Sequence, residues 1–314
     1  MKRAWIGVVV VAALFGSGCS SGGSDAEADA TSTSEAGTTT STAPATSELE
    51  PSDYQTPPSS INGITLQDDT IWVASIEDDQ VLQVEAETGA ILRRVATEGA
   101  GPDDVAVAPD GSVWTTGFTS GHLGRIDPDG TYEVVATLEP GINPLEFGSD
   151  GTLYVGTYGA DGVLYAVETD GGAPVPDATP EVVVEGLPNI NAFGVLDDDT
   201  IVAPAGGLSG PSEAVLIDPA KGTVTTIVDD LPAVAAGATD ADGTPYVLAN
   251  LTGEVFAIDV EAGTSKRVLQ AKEGAPFDNL AFAEDGTLYV SSFTAPAITV
   301  VAPDGSERVI PIGS

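Results

Sequence analysis

A short turn motif recurs six times along this chain. It reads Asp-Gly-Thr or a close variant, followed by a strand-forming segment, and Asp-Gly-Thr-Leu-Tyr-Val occurs unchanged at 150–155 and 285–290. The copies begin at Asp68, Asp110, Asp150, Asp198, Asp242 and Asp285, so they lie 42, 40, 48, 44 and 43 residues apart. A strand-rich repeat of this period is typical of a β-propeller in which each copy forms one blade.

The second copy indicates how one blade is built. Its first turn, Pro109-Asp110-Gly111, and its second turn, Pro128-Asp129-Gly130, suit hairpins because Gly accepts a positive φ and Asp caps the bend. Four strands are predicted around these turns, at 105–108, 112–116, 123–127 and 131–137. We therefore predict an all-β, six-bladed β-propeller of four-stranded antiparallel blades over residues 61–314. An open arc of six blades and a β-sandwich are the alternatives.

The register also predicts how the ring closes. The chain enters blade 1 at its inner strand, near Ile61, and leaves blade 6 at its outer strand, 308–312. No blade is then shared by the two ends of the domain. Closure depends on packing between blades 1 and 6, unless part of 51–60 adds a strand.

The first 60 residues carry a different pattern. A basic head, Met1-Lys2-Arg3, precedes an apolar run at 4–15, which has the length of a secretion signal rather than of a membrane span. Leu14-Phe15-Gly16-Ser17-Gly18-Cys19 resembles a bacterial lipobox, although Gly16 stands where Leu is usual. We expect a signal peptide at 1–18, a lipid on Cys19 and a disordered Ser/Thr/Ala-rich linker at 19–60. The domain would then be secreted and anchored to the outer face of a bacterial membrane. Ordinary signal cleavage, with Cys19 incidental, is the alternative.

The charge of the chain limits its partners. With 48 acidic and 10 basic residues, the formal net charge is −38. Nucleic acid is not expected as a partner, because its binding depends on Lys and Arg that neutralise phosphates. An anionic lipid surface would also repel the domain, so membrane contact is expected through the lipid alone. We expect a monomer that binds a small molecule or a protein at one face of the propeller.

The residues ahead of each inner strand predict a binding site. They should ring one mouth of the central channel, and five of the six blades place Asn or Asp there, the fifth blade having Ala235 and Ala236. The set is Asn62, Asp103, Asp104, Asn143, Asn191, Asp278 and Asn279. Oxygen donors around one axis suit a hard cation such as Ca²⁺. The alternative is that Asn and Asp simply favour turns and strand starts.

His122 is the other candidate at this face. We place it in a loop between the second and third strands of blade 2, where it could act as a general base. A solvated loop histidine is the alternative. With one histidine and one cysteine in the whole chain, a zinc or copper site is not favoured.

Two families share these motifs. The repeat at 101–130 resembles the propeller module of the virginiamycin B lyase family, with its Pro-Asp-Gly turn, Gly-Arg-Ile and second Asp-Gly. Asn62-Gly63-Ile64 and the start at Asp278 are similar to the gluconolactonase/senescence-marker-protein family. That resemblance implies a six-bladed propeller holding one divalent metal in its channel, with Asn62, Asn143, Asn191 and Asp278 in the positions of ligands.

Each family also has residues that this chain lacks. The lactonases carry a metal-binding Glu in Gly-Glu-Gly-Pro before the first inner strand, where this chain has Ser59-Ser60-Ile61-Asn62. The lyases use catalytic histidines, and His122 alone cannot supply a pair. The sequence therefore predicts an anchored propeller that binds a ligand or protein through its channel-face loops. A Ca²⁺-dependent, lactonase-like hydrolase is the alternative.

Overall fold

Each of the six repeats forms one four-stranded antiparallel sheet in the computed structural model, which describes residues 55–313. The six-bladed, all-β prediction is confirmed. Within these residues no helix has the length and apolar character needed to cross a bilayer. The expected signal peptide, Cys19 and most of the linker lie outside the described residues.

Blades 1 to 3 contain twelve of the first fourteen strands. Blade 1 consists of β1 (Ile64–Gln67), β2 (Thr70–Ser75), β3 (Gln80–Glu85) and β4 (Ile91–Ala96). Blade 2 consists of β5 (Pro102–Val107), β6 (Val113–Gly117), β7 (His122–Ile126) and β8 (Tyr132–Thr137). Blade 3 consists of β9 (Ile142–Phe147), β10 (Leu153–Thr157), β11 (Gly162–Val167) and β14 (Glu181–Leu187).

Blades 4 to 6 contain the remaining strands. Blade 4 consists of β15 (Gly194–Val195), β16 (Ile201–Ala205), β17 (Ser212–Asp218) and β18 (Thr223–Leu231). Blade 5 consists of β19 (Val234–Thr239), β20 (Pro245–Ala249), β21 (Glu254–Asp259) and β22 (Thr264–Gln270). Blade 6 consists of β23 (Leu280–Phe282), β24 (Leu288–Val290), β25 (Ala297–Val301) and β26 (Glu307–Pro311). The first strand of each blade is its inner strand.

The repeated Asp-Gly-Thr motif is explained by its hydrogen bonds. In blade 2, Asp110 Oδ1 accepts from the Ser112 backbone N–H at 2.9 Å, and Gly111 between them has a φ of 82°. The same bond joins Asp150 to Thr152 at 2.8 Å. An Asp side chain that bonds the backbone two residues later stabilises a tight turn. The motif therefore marks the link between the inner and second strands.

A small ribbon accounts for the longest repeat. β12 (Thr169–Asp170) and β13 (Ala173–Pro174) form a two-stranded sheet inserted between the third and fourth strands of blade 3. The Trp114 indole N–H in blade 2 donates to the Gly172 carbonyl at 2.9 Å. A ribbon rather than a simple turn therefore joins the third and fourth strands of blade 3, and it contacts the neighbouring blade.

The ring closes as predicted, without a shared blade. One apolar cluster joins Ile64 and Ile91 of blade 1 to Ile298 and Ile310 of blade 6. The seam also contains a backbone hydrogen bond of 3.0 Å from Gly313 to Gly89. Residues 55–60 add no strand, but the Gln55 side chain donates to the Ile91 carbonyl at 3.0 Å and accepts from its N–H at 3.2 Å.

Candidate functional site

The inner strands bring the predicted rim residues to one level of the channel. In each blade one inner-strand residue pairs with the residue three positions after the first Asp of the repeated motif; Leu66↔Ile71 in blade 1 and Val107↔Val113 in blade 2 are examples. The residue four positions before that pair is the rim residue. These residues are Asn62, Asp103, Asn143, Asn191, Ala235 and Asp278. Five polar side chains therefore occupy equivalent positions.

All five of these polar residues line one cavity of about 310 Å³, here called the rim chamber. Its remaining lining comes mainly from the loops between second and third strands, namely Ile76, Glu77, Phe118, Tyr158, Leu208 and Phe293, together with Ser60. The polar floor therefore lies beneath apolar and aromatic walls. Blade 5 differs, since it has Ala235 at the rim, and Leu251 in its loop is 63 % exposed.

Hydrogen bonds tie the floor residues to one another in pairs. The Asn143 side-chain amide donates to the Asp103 carboxylate, and Asn62 donates to the Asp278 carboxylate. The Asn62 Oδ1 atom accepts from the Ile76 backbone N–H at 3.4 Å. The amides thus hold two carboxylates in place at the channel axis.

Burial disfavours the ionised form of the Asp103 and Asp278 carboxyl groups. It raises the pKa of Asp103 well above its usual range, and the negative charges of Asp278 and Asp104 raise it further. Burial raises the pKa of Asp278 to about 7, although the hydrogen bond from Asn62 acts in the opposite direction. Neighbouring carboxyl groups out of water retain a proton or require a cation. At neutral pH the Asp103 and Asp278 carboxyl groups therefore either keep a proton, and can then donate a hydrogen bond to a ligand oxygen, or hold a cation.

Asp104 and Asn279 belong to a deeper level than the rim. The Asn279 amide donates to Asp104 Oδ1 at 2.9 Å, although the two residues belong to blades 2 and 6. Gly63 of blade 1 makes this possible, because a Cβ there would lie 2.2 Å from Asp104 Oδ1. Both side chains line a second cavity, of about 340 Å³, towards the Asp-Gly turns.

We call this second cavity the inner chamber. Its lining includes Asp104, Glu146, Asn279, Asp197, Asp240 and Thr239. Burial raises the pKa of Glu146 to about 7, and the N–H of Phe147, which donates to its side chain, opposes this effect. The charge of Glu146 in turn contributes to the raised pKa of Asp104, after burial as the largest cause.

His122 is the predicted site residue that the structure places elsewhere. It begins strand β7 rather than lying in a loop, and it lines neither chamber. The expectation that His122 lies in a loop is wrong, because pairing with Thr137 of β8 makes it the first residue of the third strand. Its buried Nδ1 atom has no hydrogen-bond partner among the described residues.

Sequence reasoning missed Glu146 and the aromatic loop residues. Glu146 is the acidic member of an otherwise uncharged position, occupied in the other blades by Thr65, Ala106, Gly194, Ala238 and Ala281. Ile76, Phe118 and Tyr158 each directly follow a second strand. Comparing the repeats at these positions, as well as at the rim, would have identified both groups.

The donor set of the rim chamber fits a hard cation better than a soft one. Carboxylate and amide oxygens are present, and imidazole and thiol ligands are not among the residues that line it. Within residues 55–313, no group of three or more His, Cys, Asp or Glu side chains is placed to hold a metal ion. A cation at this level would therefore need the Asn oxygens as well.

Comparison with known proteins supports the assignment of the fold. Neither the protein-family models nor the curated proteins include a match. Among solved structures, virginiamycin B lyase from Staphylococcus aureus is similar, with 15 % identity, a TM-score of 0.59, and coverage of 81 % of this chain and 85 % of that one. The shared fold is a β-propeller.

Two further propellers match over most of their length. Regucalcin, a calcium-binding protein from Agrobacterium tumefaciens, is 18 % identical, with a TM-score of 0.58 and coverage of 75 % of this chain and 83 % of that one. A gluconolactonase from Xanthomonas campestris is 14 % identical, with a TM-score of 0.60 and coverage of 78 % and 86 %. The resemblances inferred from the repeats are thus confirmed at the level of the fold.

Proposed function

We propose that this chain is a lipid-anchored, extracytoplasmic propeller that binds a small, oxygen-rich ring molecule in the rim chamber. The observation that carries the proposal is the convergence of five equivalent Asn and Asp side chains beneath apolar and aromatic loops. Aromatic and apolar walls take the face of a ring, and a few fixed polar groups orient its oxygens. The volume of about 310 Å³ suits a small molecule better than a protein segment.

Binding can be tested with a panel of sugars, sugar acids and lactones, using thermal shift followed by calorimetry. Tyr158→Ala should weaken a hit because it removes part of the wall, and Asn191→Ala should weaken it because it removes a polar contact. Lys266→Gln on strand β22, far from the channel, is the matched control. A hit that binds both chamber variants as tightly as it binds the control would exclude the rim chamber.

A Ca²⁺-dependent lactonase is the second candidate. It is favoured by the Asp103 and Asp278 carboxylates beside amide oxygens, together with the similarity to a calcium-binding protein and a gluconolactonase. Bound Ca²⁺ would polarise a lactone carbonyl and acidify an attacking water. Asn62, Asn143 and Asn191 would orient the substrate or complete the oxygen set, while the apolar loops would exclude bulk water.

Calcium itself separates the two candidates. If the lactonase proposal holds, Ca²⁺ raises the melting temperature, Asp278→Asn abolishes that rise, and lactone hydrolysis depends on the ion. A chelator-insensitive protein with no Ca²⁺ shift would eliminate the metal-dependent enzyme. If Ca²⁺ raises the melting temperature but no lactone is hydrolysed, the enzyme is excluded and the binding function is retained.

A further inference from the structure

The rim chamber contains a buried hydroxyl group without a hydrogen-bond partner. Ser60 lines the chamber and is 6 % exposed. Its side chain bonds to no other residue within 55–313. The next residue, Ile61, is fully buried in the apolar cluster at the seam, so Ser60 and Asn62 on either side of it face the chamber. An enclosed hydroxyl group needs a partner, which a bound ligand can supply.

Asn191 brings a second unused donor to the same chamber. It is 8 % exposed, and its Oδ1 atom accepts from the Ala192 N–H at 2.9 Å. Within the described part of the chain, its side-chain N–H groups bond to nothing. Ser60 precedes blade 1 and Asn191 precedes blade 4, so they lie on opposite sides of a ring of six blades. A ligand that spans the chamber can therefore bond to both.

The carboxyl groups of Asp103 and Asp278 lie on the Ser60 side of the chamber. They belong to blades 2 and 6, the two neighbours of blade 1. Asp278 also lies near the phenol of Tyr158, because its charge raises the pKa of Tyr158, after burial as the larger cause. None of the described residues that line the chamber is Lys, Arg or His. Two enclosed carboxyl groups beside an aromatic ring suit a ligand that brings the positive charge itself.

An ammonium group fits this arrangement better than a bare metal ion. The side-chain N–H groups of Asn143 and Asn62 donate to Asp103 and Asp278, and the Asn62 oxygen accepts from the Ile76 N–H at 3.4 Å. Few oxygens are therefore left to converge on one point, whereas a dehydrated Ca²⁺ ion needs roughly six to eight. An ammonium group donates three hydrogen bonds, so two carboxyl groups and one further acceptor satisfy it.

We propose that the rim chamber binds an amino sugar, with its ammonium group at Asp103 and Asp278 and its ring hydroxyls at Ser60 and Asn191. This inference rests on the proposed binding function and specifies the ligand as a ring that carries a positive charge. The aromatic loop residues take the face of the ring. Binding exchanges a proton held by the carboxyl pair for the ammonium group.

Calorimetry in metal-free buffer at pH 6.5, with glucosamine, glucose and N-acetylglucosamine, tests the proposal. The three probes share one ring and differ in a single substituent, which is charged in glucosamine alone. We expect glucosamine to bind at least about tenfold more tightly than the other two, because it alone forms an enclosed ion pair. If glucosamine binds no better than glucose, or does not bind while another ring molecule does, this inference fails and the proposed function stands. If no ring molecule binds, both fail.

Two charge variants distinguish the site from the general acidity of the protein. Asp278→Asn keeps the size of the side chain but removes its charge, so most of the preference for glucosamine over glucose should disappear. Glu77→Gln, at an exposed position of the chamber lining, removes the same charge and is the matched control; it should keep that preference. A preference that survives Asp278→Asn, or that falls equally in Glu77→Gln, would refute the proposal.

A pair of serine variants tests the contact with the ring. Ser60→Ala should weaken glucosamine and glucose alike, by about threefold, because it removes one neutral hydrogen bond. Ser59→Ala is the matched control and should leave both affinities unchanged. The Ser59 hydroxyl donates to Asp78 at 2.8 Å, and the Ser59 N–H donates to the same carboxylate at 2.6 Å and still holds the backbone in the variant. Unchanged affinities in Ser60→Ala would overturn the placement of the ring.

Discussion

At the residue scale, the channel concentrates carboxyl groups that solvent alone would keep ionised. Asp103, Asp104, Glu146 and Asp278 all have a raised pKa, and burial is the first cause for each. The exposed turn aspartates behave in the opposite way, since the Thr287 N–H and hydroxyl lower the pKa of Asp285. Acidic side chains therefore stabilise turns at the surface, whereas at the channel axis burial favours their protonated form.

The raised pKa of Asp278 predicts that this residue lowers the stability of the fold as the pH rises. Its pKa is about 7 in the fold and 3.8 as the ordinary value, so the folded state holds this proton more tightly than the unfolded state. The contribution of Asp278 is most favourable below pH 4 and is lost as the pH rises towards 7 and above. In metal-free buffer, Asp278→Asn should therefore gain stability relative to the wild type between pH 4 and 8, on the order of 1–3 kcal/mol.

Urea unfolding across that pH range measures the effect. Asp285→Asn is the control with the opposite sign, because the lowered pKa of Asp285 adds stability that is lost on acidification. If the difference in free energy of unfolding between the wild type and Asp278→Asn does not change between pH 4 and 8, the raised pKa of Asp278 is contradicted.

At the element scale, each blade repeats one design and varies it at a few positions. The pairing of the inner and second strands is shared by all six blades, whereas the ribbon β12–β13 belongs to blade 3 alone among the described blades. The ribbon packs closely on blade 2, since a Cβ at Gly172 would lie 2.5 Å from the Ala108 Cβ. It therefore joins two blades as well as connecting two strands.

Substitution within the ribbon tests that packing. Gly172→Ala should destabilise the domain by about 2 kcal/mol, because it adds a clash with Ala108 to the cost of a positive φ. Gly171→Ala is the matched control, since Gly171 also has a positive φ but a Cβ there meets no atom within 4 Å; it should cost about 1 kcal/mol. Equal losses of free energy of unfolding would indicate that the contact with blade 2 contributes nothing.

At the scale of the whole molecule, six separate sheets become a ring through packing at the seam. Gly313 lies beside the start of the domain, since a Cβ on it would be 2.6 Å from the Gln55 carbonyl oxygen. Ile310 and Ile312 are buried against blade 1. No strand is exchanged between blades 1 and 6, so closure requires only that the two ends of the domain, near Gln55 and Gly313, lie close together.

A circular permutant tests this form of closure. Joining Gly313 to Gln55 through a short Gly/Ser linker and opening the chain between Glu139 and Pro140, both exposed, should leave the melting temperature within a few degrees of the wild type. Ile310→Ala should instead cost about 2–4 kcal/mol, because it opens a cavity in the seam. A permutant that does not fold would show that closure depends on chain order.

The anchor is the remaining whole-molecule prediction. In a bacterial host the full chain should fractionate with membranes and incorporate labelled fatty acid, because a diacylated cysteine partitions into the bilayer. Cys19→Ser should lose the label and shift towards the soluble fraction. Cys19→Thr, which also lacks the thiol, should behave in the same way. An unlabelled wild type, or membrane retention of both variants, would contradict lipidation at Cys19.

The sequence alone determined the number of blades, the turns between the inner and second strands, and five of the rim positions. These features are local or periodic: the Asp-x-Thr hydrogen bonds span two residues, and the inner strands repeat in step, so six copies specify six sheets. Only the tertiary structure decided which side chains share a cavity. Asp104 and Asn279 are 175 residues apart yet hydrogen-bonded, because ring closure and the absent side chain of Gly63 bring them together. The environment of Glu146 was decided in the same way, since burial arises from five other blades that the local sequence does not encode.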